Sequence, residues 1–193
     1  MLVAVPGIGN MLHDAHHYAG AMEDAVRDAD SELARTVARL ADIEAIKTLK
    51  YRYMRAVDLK DWDLLAGTLE PDVTAHYGRR LDFASRDELL DNFRSTLGPE
   101  ILTVHHLHQP EIAVDGNTAT GTWALRDQVI IPEHNLMITG ACFYDDTYRR
   151  GTDGAWRIAT TGYRRLFEAT ETLNVRSDFR LTDNRWADAD PSE

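Results

Sequence analysis

DIEAIKTLKYRYMRAVDLKDWDLLAGTL, residues 42–69, sets the architecture expected for the rest of the chain. Ile43, Ile46, Leu49, Tyr53 and Val57 recur every three or four positions, which places them on one face of an α-helix. Upstream, Leu33, Val37 and Leu40 keep the same spacing, so one long buried stripe is predicted from Ser31 onward. Asp61 precedes WDLLAGTL and is placed to accept the free N–H groups of a short second helix, which must stop before Pro71. A long amphipathic helix needs another layer to cover, and a sheet is the simplest one.

The chain beyond residue 69 supplies that sheet. VTAHY (73–77) reads as an early strand, and Ser85 with Glu88 forms a capping box for a third helix over residues 86–97. The segments 101–108, 111–116, 118–131, 136–150 and 155–167 are rich in β-branched and aromatic residues. Asp115-Gly116 and Gly151-Thr152-Asp153-Gly154 punctuate them as hairpin turns. The expected fold is α+β: a curved antiparallel sheet with one early strand, closed by three helices into a cone that encloses a pocket. Residues 1–30 read as an N-terminal appendage, 31–173 as the cone domain and 174–193 as a C-terminal tail.

Composition excludes several classes of partner. A chain of 193 residues with 44% hydrophobic and 27% charged content is expected to build one core. Its net charge of −11, with adjacent basic residues only in isolated pairs such as Arg79-Arg80 and Arg149-Arg150 and no concentrated basic stripe, argues against nucleic acid and against anionic membrane surfaces. The single cysteine, Cys142, cannot close an intrachain disulfide, and the opening MLVAVPGIG lacks the basic region of a secretory leader, so a cytoplasmic location is expected. No apolar run approaches the roughly 20 residues that span a bilayer.

Within the predicted cone, several polar residues fall where the pattern calls for apolar wall or the end of an element. Tyr53 lies in the helical stripe, and a buried phenol needs a partner for its hydroxyl. Asp58 lies five residues further, about 140° around an ideal helix, so the two share a site only if the helix ends near Val57; otherwise Asp58 is a solvated helix-end acid. On the strand 101–108, His105 shares a face with Leu107, while His106 and His108 share the other. Asp127 shares a face with Trp123 and Leu125, where an unpaired carboxylate is costly, and a His105–Asp127 pair is the predicted remedy. The histidines could instead be hydrogen-bonded strand residues or, at His106/His108, a metal chelate. Arg165 faces inward with Tyr163 and Thr161, and Arg164 outward, although a strand-end arginine is commonly a surface ion pair. His13, His16 and His17 with Asp14 have metal-ligand spacing on a weakly patterned segment. Trp62, Trp123 and Trp156 read as core or pocket wall, and Cys142 has no base beside it.

Residues 42–69, 108–130 and 154–168 together resemble the SnoaL-like branch of the nuclear transport factor 2-like superfamily. Within it they are most similar to the bile acid 7α-dehydratases, and more distantly to the scytalone dehydratases. The likeness runs from about Asp42 to Glu168. It implies a cofactor-free, metal-free lyase whose catalytic set falls on Tyr53, Asp58, His105, Asp127 and Arg165, with Tyr77, Trp123 and Tyr163 binding substrate. A scytalone dehydratase-type alignment places the histidine at His106 instead. The implied partner is an apolar polycyclic small molecule, and the implied assembly a homo-oligomer, trimeric by resemblance or dimeric. The loop between Ile131 and Thr139 is shorter than in the bile acid enzymes, and the N-terminal extension is not shared. A cyclase or isomerase, or a noncatalytic binding or assembly domain, remains open on the same fold.

Overall fold

The structure, a computed structural model, describes residues 8–78, 81–173 and 180–184, apart from the side chains of residues 8–17 and 19–21. Helix α1 runs over Ile8–Leu59, α2 over Trp62–Gly67 and α3 over Arg86–Thr96. Six strands follow this pattern: β1 Leu69–Tyr77, β2 Leu81–Phe83, β3 Leu102–Asp115, β4 Thr118–Ile131, β5 Leu136–Arg150 and β6 Trp156–Thr172. A single 3₁₀ turn, Pro132–His134, joins β4 to β5.

The local signals act as expected at several ends. Asp61 Oδ1 accepts the Leu64 N–H (2.9 Å) at the start of α2. At α3, Ser85 Oγ accepts the Glu88 N–H (3.2 Å) while Glu88 Oε2 accepts the Ala84 N–H (2.9 Å), a capping arrangement shifted one residue from the reciprocal box. Gly116 (φ 57°) and Gly154 (φ 79°) take the left-handed turns that hairpins β3–β4 and β5–β6 require.

The long stripe divides into two parts. A compact unit begins at Ile43 and continues to the C-terminus, and residues 1–42 form the other unit. The anticipated boundary near Ser31 therefore falls inside a helix. Burial starts at Ile46 and continues through Leu49, Tyr53, Ala56 and Val57, whereas Leu33, Val37 and Leu40 are exposed, contrary to the single buried stripe expected from spacing.

Within the unit from Ile43 onward, the sheet order is β2-β1-β6-β5-β4-β3. Neighbours from β6 to β3 are antiparallel, as is β1–β2, but β1 runs parallel to β6, with Leu69 paired to Ile158 and Tyr77 to Tyr163. The sheet is therefore mixed rather than wholly antiparallel, because the early strand enters beside the last one. The core joins α1 residues Ile46, Tyr53 and Val57 to Val73, Ala75, Leu89, Trp123, Leu125 and Ile158.

Candidate active site

A cavity of about 210 Å³ lies between the Tyr53–Val57 turn of α1, helix α3 and the inner sheet face. Its wall is mainly apolar, with Met54, Val57, Phe93, Leu97, Leu125 and Val129 contributing. Tyr53, Tyr77, His105, Asp127, Tyr163 and Arg165 bring polar atoms to it.

The two-residue strand period fixes which histidine enters. His105 lines the cavity, whereas His106 and His108 are exposed on the other face of β3. Asp127 lies directly across the ladder from His105, yet the two side chains find other partners. The His105 ring meets Asp58: Nδ1 stands 2.6 Å from Asp58 Oδ1, and Asp58 Oδ2 accepts the His105 backbone N–H at 3.0 Å. Thr103 Oγ1 donates to Asp58 Oδ1 at 2.9 Å. Asp58 is not itself in the cavity wall. With the carboxylate accepting Nδ1–H, the free lone pair of the neutral ring is on Nε2. The expected His105–Asp127 pair is thus replaced by His105–Asp58. The turn ending at Leu59, with Lys60 at φ 55°, carries the helix-end acid over β3.

Asp127 instead receives a bidentate guanidinium, with Arg165 Nη1 donating to Oδ1 (2.5 Å) and Nη2 to Oδ2 (2.9 Å). The intervening strand makes this reach possible. A Cβ at Gly140 would collide with Arg165 Nη1 and approach Asp127 Oδ1 to 2.9 Å. Arg164 points outward and pairs with Asp145 (2.8 Å), as its strand face predicts.

The partner of the Tyr53 hydroxyl, left open by the sequence, is the hydroxyl of Tyr77. Burial raises the phenol pKa of Tyr53, Tyr77 and Tyr144, which keeps all three protonated. The Tyr77 ring stacks on Tyr163 with centroids 5.5 Å apart. Burial also pushes the Cys142 thiol up to about 11, so this wall residue is a neutral thiol and a poor nucleophile.

Trp123 does not line the cavity. It is fully buried and donates Nε1–H to Tyr148 (2.8 Å), whose hydroxyl donates to Asp146 (2.8 Å). Asp146 also accepts from Thr161 (2.7 Å) and forms an ion pair with Lys50 at 2.7 Å. Both charged side chains of that pair are 0% exposed. Lys50 Nζ lies 4.7 Å from the Tyr53 ring centroid and 4.1 Å from that of Tyr144. Sequence reasoning missed this network. The available signal was a lysine between Ile46 and Tyr53 on the apolar helical face.

Among the described residues no three His, Cys, Asp or Glu side chains are grouped to hold a metal ion, and the side chains of His13, Asp14, His16 and His17 lie outside them. Likewise, no described helix is long and apolar enough to cross a membrane.

Solved structures share this fold. Hexachlorocyclohexane dehydrochlorinase LinA, type 2, is similar at 21% identity over 70% of this chain and 92% of its own, with a TM-score of 0.65. A candidate scytalone dehydratase from Novosphingobium aromaticivorans is similar at 18% identity over 69% and 90%, with a TM-score of 0.64. The type 3 LinA dehydrochlorinase from Novosphingobium barchaimii gives 20%, 70%, 93% and 0.64. At such identities these likenesses establish a shared α+β fold with a curved mixed sheet and nothing finer. Residues 38–162 match the SnoaL-like domain family, and the chain belongs to that family.

Proposed function

We propose that this protein is a cofactor-free hydro-lyase that removes water from a hydroxylated, fused-ring, steroid-like enone. The observation that carries the reading is the His105–Asp58 pair, which turns one imidazole nitrogen toward an apolar cavity also holding protonated phenols.

In the proposed reaction His105 Nε2 takes an acidic ring proton from the carbon activated through the enone, and Asp58 stabilises the resulting imidazolium. The electron pair moves onto the enone oxygen. Of the Tyr53–Tyr77 pair, one phenol donates to the other, so one O–H is left to donate to that oxygen. As the dienolate collapses, the C–O bond to the hydroxyl breaks and the leaving oxygen takes the proton from His105. Water and the more conjugated ring result, and His105 is neutral again.

The Asp127–Arg165 pair offers guanidinium and carboxylate edges to polar groups on the substrate. About 210 Å³ is below the roughly 300–1,000 Å³ of common ligand pockets. The reacting ring is therefore placed inside, and the other rings along a groove lined by Tyr77, Gly78, Leu81 and Tyr163, which shares Tyr77, Leu81, Tyr163 and Arg165 with the cavity.

Removal of hydrogen chloride, the reaction named for the LinA neighbours, needs the same base. Chloride, however, leaves without a proton, whereas hydroxide does not, and the imidazolium that Asp58 stabilises supplies that proton. The test is incubation with a panel of hydroxylated enone steroids and chlorinated rings, read by mass spectrometry. Loss of water from an enone alcohol supports the proposal, and turnover confined to chlorinated rings overturns it.

A further inference from the structure

We propose that the N-terminal part of helix α1 is a coiled-coil segment that pairs, parallel and in register, with the same segment of a second copy of this chain. Apolar or small residues recur there at alternating intervals of three and four: Met22, Ala29 and Thr36 in one row, Val26, Leu33 and Leu40 in the other. This is the 3.5-residue period of an a/d seam, distinct from the broader face that packs on a sheet. The seam is solvent-exposed along its length, with Met22 at 70%, Val26 at 59%, Leu33 at 62% and Leu40 at 59%. In sequence the same register extends back through Ala19 and Ala15 to Leu12, which lengthens the repeat beyond four heptads.

A polar face opposes this seam. Asp24 and Arg27, on the outer positions, form an exposed ion pair at 3.0 Å. An apolar row of this extent in water needs cover, and an isolated helix gains most of its stability from such packing.

Charge selects the occupant and its direction. The positions flanking the seam on one side are Glu23, Asp30 and Val37, and those on the other are Ala25, Glu32 and Arg39. An antiparallel pair sets the first group against its own copy and opposes acid to acid. A parallel pair sets Ala25 against Asp30, Glu32 against Val37 and Arg39 against Glu44 of the second copy, with no like charges facing. The small Ala29 and Thr36 narrow the seam, which suits two helices.

Cysteine cross-linking of the full chain tests this, because the only native cysteine, Cys142, is buried. Ala29→Cys and Thr36→Cys should each form disulfide-linked dimers under mild oxidation at low micromolar concentration, at least tenfold more than Ser31→Cys on the opposite face. Adding Leu33→Glu to Thr36→Cys should abolish the product while circular dichroism still reports the folded sheet domain. Equal yields from all three cysteines, or a product that survives Leu33→Glu, would overturn the proposal. Cross-linking only in a mixture of Ala29→Cys and Leu33→Cys chains, one from each row of the seam, would show an antiparallel pair, and no seam-selective product would mean that another protein or no helix covers the stripe; each outcome overturns it.

Discussion

Asp58 holds His105 at two points, the ring Nδ1 through one carboxylate oxygen and the backbone N–H through the other. Ring tautomer and strand position are therefore set by one side chain arriving from the helix end.

This makes Asp58, rather than Asp127, the acid on which the base depends. Asp58→Asn should lower kcat by about 10²–10⁴-fold with little change in KM, and His105→Ala should do at least as much. Asp127→Asn should instead act mainly through KM. Steady-state kinetics on whichever substrate the panel identifies will separate them, and equal kcat losses at Asp58 and Asp127 would contradict the assignment.

The phenol pair is expected to act as a unit. Tyr53→Phe keeps the ring but removes one hydroxyl, and kcat should fall about 10²–10³-fold, as for other oxyanion donors. Adding Tyr77→Phe should cost much less than the product of the two single effects, because each single change already breaks the pair. A fully multiplicative double mutant would show that the hydroxyls work independently.

Arg165 passes over Gly140 and leaves no room there for a Cβ. Gly140→Ala should destabilise the fold by about 1–3 kcal/mol through the forced displacement of Arg165 and Asp127. The control is Gly67→Ala, where an added Cβ meets nothing within 4 Å, and stability should hold or rise by up to about 1 kcal/mol. Denaturant unfolding measures both.

A pH effect is expected at the β5–β6 turn. The Arg157 guanidinium beside Asp153, together with the Ala155 N–H, lowers the Asp153 carboxyl from 3.8 to about 2. The unfolded carboxyl binds its proton first as pH falls, so the stabilisation is complete above about 4 and is lost between there and about 2. Asp153→Asn should therefore lower Tm at pH 6, with the gap to the parent closing as the pH approaches 2. A gap independent of pH would assign the effect to the turn's hydrogen bonds alone.

What the sequence made legible was mostly what periodicity governs. Strand alternation separated His105 from His106 and Arg165 from Arg164, and capping residues marked the second and third helices. Choice of partner was not legible. Asp127 is His105's cross-strand neighbour, so pairing them follows from the ladder, but Gly140 opens a path by which Arg165 takes Asp127 from two strands away. Asp58 reaches His105 because of how the end of α1 lies over β3, a tertiary placement that helical spacing does not encode. The exposed Leu33 and Leu40 share a spacing with the buried residues after them, since periodicity identifies a face without saying what covers it. Lys50 was overlooked for the converse reason: its charge hid a position that belongs to the interior.

The parallel pairing of β1 with β6 also bears on how the molecule assembles. During synthesis β1 emerges early with only the short β2 to pair with, and its other neighbour is the last strand made. That final strand is interior to the sheet, between β1 and β5, so a nascent chain lacking it has two separate ribbons. Joining Leu69 to Ile158 closes a long loop, a contact of the kind that slows folding. Tyr77 and Arg165 lie on these two strands, so the cavity takes shape only in that late step, and any fragment ending before Trp156 loses the seam of the sheet rather than its margin.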